Sequence, residues 1–186
     1  MRDALTFGPA FPQSARASRG SAVPTDHTAA TELDLTLNVW TPSPAGFRPV
    51  MVWIHGCAYL GGGTAAPSFE GSTLAAEGEV VVVTVNHRVG VEGYGEIVGA
   101  PSNRGLLDVV TALHWVRDNI AAFGGNPHSV TVFGQSAGAG ASLLVMPLAR
   151  GLFHRAIAQS VPGTFLTPAL AADITGSPRK LMVPLP

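Results

Sequence analysis

The chain has 186 residues, 46% of them hydrophobic and only 12% charged, with a formal net charge of −1. That length fits one domain with a real core, and so low a charged fraction means that an unusually large share of the chain is interior. Basic residues are scattered rather than gathered into a stripe, which excludes a nucleic-acid footprint, and a single cysteine, Cys57, excludes an internal disulfide and a thiol pair for metal or redox chemistry.

In chain order, Met1-Arg2-Asp3 soon meets Pro9 and Pro12 with no apolar run between, so no signal peptide is expected and the expected location is cytoplasmic. Residues 1–31, rich in Pro, Ser, Gly and Ala, lack both the helical and the strand period and predict an irregular arm. Leu35, Leu37 and Val39 alternate with Thr36, Asn38 and Trp40, the period of a half-buried strand, which Thr41-Pro42 ends. Residues 50–54 and 80–85 are short apolar runs suited to strands covered on both faces, as in parallel sheets. Residues 72–77 between them supply a crossover helix, and the unit predicts βαβ. Leu106, Leu107, Val109, Val110, Leu113, Val116 and Ile120 recur near helical spacing between Asn103 and Phe123, and Gly124-Gly125-Asn126-Pro127 stops that helix. A buried strand is expected at 130–133, a helix at 139–145 and one more strand at 155–159. Residues 137–149, the longest apolar stretch, contain Pro147 and fall short of the roughly 20 residues a membrane span needs, so no span is expected.

The expected strand at 130–133 runs straight into Gly134-Gln135-Ser136-Ala137-Gly138. A strained strand-to-helix turn lifts a serine oxygen above the sheet, and glycines two residues either side give it room. The helix that follows aims its first amides at the same point, where negative charge develops during acyl transfer. On these residues alone the alternative that Ser136 merely caps the helix stays open. His55-Gly56-Cys57-Ala58-Tyr59, after the strand at 50–54, is a small-residue loop able to present bare N–H donors to an oxyanion. It is equally consistent with an ordinary strand-end turn.

With these motifs, and with Leu35-Thr36-Leu37-Asn38-Val39-Trp40-Thr41-Pro42, Asn103-Arg104-Gly105-Leu106-Leu107-Asp108 and residues 115–127 and 151–160, the chain resembles the type-B carboxylesterases, a family that includes the cholinesterase-like enzymes. The resemblance runs from Asp3 to about Asp173 and is most like bacterial members. It implies an α/β-hydrolase fold, here partial, with a mostly parallel central sheet and helices on both faces. It also implies hydrolysis of small-molecule carboxylic esters through an acyl-serine intermediate, with no metal and no organic cofactor. By resemblance Ser136 matches the nucleophile, Gly134, Gln135 and Gly138 its elbow, and the backbone N–H groups of Cys57, Ala58 and Ala137 the oxyanion hole. His55 matches a loop histidine that is not the catalytic base.

The sequence departs from the family pattern at several places. The loop reads Gly56-Cys57-Ala58 where Gly-Gly-Gly or Gly-Gly-Ala is usual, and Gln135 stands where glutamate is more common, His87 where tyrosine is, and Asp34 where a cysteine is. The family's acid and catalytic histidine lie well downstream of the serine in that order. After Ser136 this chain has only His154 and then Asp173, and His154 falls in a segment that the family uses structurally. The expectation is therefore a domain truncated at both ends, with an arm at 1–31, a partial hydrolase domain at 32–175 and an unstructured tail at 176–186. Two functions follow from it: an impaired ester hydrolase acting through Ser136, or a non-catalytic fragment or binding module that self-associates through uncovered sheet edges.

Overall fold

The valine-rich runs and the alternating segment before them form one five-stranded sheet. The structure, a computed structural model, describes residues 6–11, 13, 35–163 and 166–176. Strands β1 (Leu37–Trp40), β2 (Arg48–Ile54), β3 (Val81–Val85), β4 (Gly125–Gln135) and β5 (Arg155–Gln159) lie in the order β1-β3-β2-β4-β5. β1 pairs antiparallel with β3, and every other pairing is parallel. All five residues of β3 are buried, as in a strand covered on both faces, whereas β2 and β4 alternate buried with partly exposed residues along their inner halves.

The register sorts the side chains. Val52 lies between Val83 and Val132, and Ile54 between Val85 and Gly134. This face is covered by α3 (Arg104–Asn119) through Leu106, Val109, Leu113 and Val116, with Ile120 beyond, and by α4 (Ala137–Leu144) through Ala141. Val50, Val52, Val109, Leu113 and Val132 are wholly buried, and burying a side chain of this size contributes about 1.5–3 kcal/mol. The crossover helix α1 (Ser72–Gly78) lies on the opposite face, where Gly71 at its start meets Trp40 and Val82. Helices thus stand on both faces of a mostly parallel sheet.

Most of the expected elements form, with three differences. β4 begins at Gly125, not Val130, because Arg48 of β2 pairs with Gly125 across a register irregularity, and residues 126–129 continue the strand to Val130. Two helices that carry no helical period in the sequence are present, α2 (Gly90–Tyr94) and α5 (Pro168–Gly176). Gly176, assigned from sequence to the tail, ends α5, and the rest of that tail lies outside the described residues. Of the expected arm, residues 6–11 and 13 are described. They have no regular structure, but Ala10 and Phe11 are buried, and the Gln13 amide exchanges two hydrogen bonds with the main chain of Gly62 at 2.8 and 2.9 Å.

Candidate active site

β2 and β4 are parallel neighbours, so the loops leaving their C-terminal ends emerge side by side, the place where open α/β sheets carry their sites. β4 ends at Gln135 and α4 starts at Ala137, which leaves Ser136 alone at the corner. Its φ is 57°, in the left-handed region that costs a residue with a side chain about 1–2 kcal/mol. Neighbouring main chain holds it there: its N–H donates to the Gln159 carbonyl of β5 at 2.9 Å, and its carbonyl accepts from Gly140 N–H at 3.0 Å.

The glycines of the motif are explained by close approach. A side chain at Gly138 would collide with the Ile54 carbonyl, one at Gly134 would stand 2.5 Å from the Gly138 main chain, and one at Gly56 would stand 2.6 Å from the Gln135 carbonyl. The same contact brings Gly56, at the head of the β2 loop, against Ser136. Among the described residues the Ser136 hydroxyl makes no hydrogen bond, whereas a capping serine would accept one from the next turn and would have an extended backbone. Gln135 is exposed, Ser136 partly so, and Ala137 is buried.

Cys57, Ala58 and Tyr59 are consecutive and all left-handed, with φ of 85°, 55° and 62°. Such a run turns the peptide planes so that the N–H groups of Cys57 and Ala58 donate to no described residue. Ala137, as the first residue of α4, has one of the N–H groups that a helix leaves without an internal partner. The loop is tied at its far end by Gly90 N–H donating to the Tyr59 carbonyl at 2.7 Å.

Beneath the loop lies a group of side chains that the sequence did not bring together. The imidazoles of His55 and His87 stack at 4.2 Å with an interplanar angle of 10°, Tyr94 meets His87 edge-on, and Tyr59 meets Tyr94 at 4.8 Å. Burial, followed by the neighbouring His87, lowers the His55 pKa to about 3, and burial lowers that of His87 as well. Burial raises the Tyr59 and Tyr94 hydroxyls. Both histidines are therefore neutral at physiological pH. The one signal in the sequence was position, since each stands just past the C-terminal end of one of two adjacent parallel strands.

His154 lies elsewhere. Its Nδ1 accepts a hydrogen bond from Val130 N–H at 3.2 Å, at the far end of the segment that leads to Ser136, six residues and roughly 20 Å away at the rise of an extended strand. Asp173 is on α5. Among the described residues no cluster of three His, Cys, Asp or Glu side chains is placed to hold a metal ion, and no helix is long and apolar enough to cross a membrane.

The family model for the carboxylesterase family matches residues 1–180. The chain belongs to the carboxylesterase family. It is 54% identical over 143 residues to carboxylesterase 3 of Homo sapiens, a match covering 73% of this chain and 24% of that protein. It is 47% identical over 150 residues to para-nitrobenzyl esterase of Bacillus subtilis (strain 168), covering 77% of this chain and 31% of that protein. Among solved structures, a thermophilic PNB esterase superposes with a TM-score of 0.83 at 41% identity, covering 95% of this chain and 38% of that one. The sheet and elbow described above are thus part of the α/β-hydrolase fold, and the chain spans about a quarter to two-fifths of the length of these carboxylesterase relatives.

Proposed function

We propose that this chain carries the nucleophile and the oxyanion-binding loop of a carboxylic ester hydrolase. Ser136 Oγ attacks the carbonyl carbon of a small-molecule ester, and the carbonyl oxygen becomes an anion held by the N–H groups of Cys57, Ala58 and Ala137. Expulsion of the alcohol leaves an acyl-serine, and water then releases the acid. Each oxyanion donor is worth roughly 2.7–4 kcal/mol in sites of this kind. The observation that carries the reading is the left-handed Ser136, with its hydroxyl uncommitted among the described residues, beside a loop with two uncommitted N–H groups.

His154, bonded to Val130 roughly 20 Å from Ser136, does not serve as the base. In the isolated 186-residue chain the proton from Ser136 then passes to solvent, and the expected turnover of that chain is low, within the roughly 10³–10⁴-fold over water that binding and oxyanion donors alone retain. The test is hydrolysis of a short-chain nitrophenyl ester by the purified chain beside Ser136→Ala. Slow hydrolysis that disappears in the variant is expected; equal rates in both would sink the reading. A second reading, a non-catalytic module that binds a further copy or another chain, is favoured by one observation: four of the five residues of β5, at the end of the strand order, are exposed.

A further inference from the structure

We propose that His87 is a positioning residue for the oxyanion-binding loop: its neutral ring, stacked on that of His55, holds residues 57–59 in their left-handed course beside Ser136, and adding a proton to the stack releases them. The inference rests on the reading of that loop given under the proposed function.

The tautomers follow from the partners. His55 Nδ1 faces the Gly56 carbonyl at 3.1 Å, and His87 Nδ1 faces the Arg88 carbonyl at 3.1 Å. A carbonyl only accepts, so each ring carries its hydrogen on Nδ1 and its lone pair on Nε2. Both Nε2 atoms are buried, and neither has a partner among the described residues. A proton can enter only at Nε2, where it sets a cation face to face with the other imidazole; His55 has no acceptor for it there, and the main-chain carbonyl of His55 is the one nearby acceptor there that favours a proton on His87, without outweighing its burial.

The surroundings offer little compensation. The Phe69 ring, 6.4 Å from His55, is uncharged, and Tyr94 presents its ring edge-on to His87. Asp108 of α3 pulls the other way and favours a proton on His87, but its carboxylate is engaged by Arg88, which donates its main-chain N–H at 2.9 Å and its guanidinium Nε–H at 2.8 Å. The loop itself supplies the restoring force for release, because three consecutive residues with side chains hold positive φ only while their surroundings over-determine it.

The sign is fixed by linkage. Both histidines bind a proton more weakly in the folded loop than the ordinary imidazole value of about 6.5, so the contribution is fully present above that pH and is lost as pH falls toward the lowered values. With two such groups the ratio of held to released loop falls by up to about a hundredfold per pH unit below 6.5; with one, by up to about tenfold.

The chain's single cysteine, Cys57, is exposed on this loop and takes a trifluoromethyl label. Fluorine NMR of the labelled chain should give one resonance at pH 7.5 and a second that grows on acidification to pH 5, while circular dichroism stays native. In labelled His87→Phe, which keeps an aromatic face and loses the proton site, the growth should be up to tenfold shallower per pH unit. An unchanged resonance to pH 5 overturns the proposal. So does a change that coincides with loss of the circular dichroism signal, or an identical pH dependence in His87→Phe. Should that variant not fold, nitrogen-15 imidazole spectra of the unaltered chain decide: two Nδ1–H rings that take no proton between pH 7.5 and 6 support it, and titration of His87 near 6.5 refutes it. None of these readouts uses turnover. A responsive loop without ester hydrolysis defeats the hydrolase reading alone, and Ser136-dependent hydrolysis with an unresponsive loop defeats this one alone.

Discussion

Strain at Cys57 and at Ser136 has different chemical standing. Ser136 is left-handed at a corner where the sheet and α4 impose the turn, but Cys57 and Ala58 hold φ of 85° and 55° in an exposed loop. At Cys57 a glycine relieves about 1–2 kcal/mol of left-handed cost and loses about 0.5–1 kcal/mol to the freer unfolded chain. Cys57→Gly is therefore expected to stabilise the protein by about 1 kcal/mol, read as a higher midpoint in urea; a lower midpoint would show that the thiol packs better than its exposure indicates. At this scale the elbow was legible in the sequence, because Gly134, Ser136 and Gly138 fall within one short segment whose pattern encodes its own geometry. The His55–His87 stack was not, since no periodicity links residues on two strands until their register is known. Cys57 in place of a family glycine signalled a backbone conformation that glycine favours, and its φ of 85° agrees.

Among the elements, α3 does more than cover the sheet. Arg104, buried at its first turn, donates to the carbonyls of Val91, Glu92, Gly95 and Pro101 at 2.6–2.9 Å, which gathers α2 and the loop after it around one planar guanidinium. A lysine keeps the charge but loses the forked geometry needed for four acceptors. Arg104→Lys is expected to leave α3 folded while the segment 91–101 becomes the first site of proteolysis, detectable by mass spectrometry of a limited digest; an unchanged cleavage pattern would mean that the segment holds itself. These elements also show where pattern reading stops. α3 was legible because its apolar residues recur along one buried face. α2, of five residues, is too short to show a period, and α5 buries no residue, so no apolar stripe marks it. The first half of β4 was hidden because Gly125, Asn126 and Pro127 are breakers by composition, and only the pairing of Gly125 with Arg48 carries the strand back to them.

For the whole molecule, the asymmetry of the sheet matters most. One face is sealed by α3 and α4. The other presents Met51, Trp53 and Phe133, all partly exposed, and Ile157 of the edge strand, 46% exposed, with a groove of about 140 Å³ between Trp53, Phe133 and Leu74. An apolar face that continues to an open strand edge favours pairing with another chain. Sedimentation of the isolated chain is expected to show concentration-dependent association, and Ile157→Lys to weaken it roughly tenfold, about 1.4 kcal/mol; association unaffected by that change would move the contact away from β5. The parallel pairing of β2 with β4 has a consequence for how the site comes into being. Ile54 and Gly134 are side by side in the sheet though far apart along the chain, so neither the serine corner nor the loop after β2 can be made by local folding. The entropy of closing the intervening chain must be met before either strained turn gains its support. In refolding, helical signal from α3 should precede any reactivity at Ser136, and that serine would then serve as a clock for completion of the central ladder.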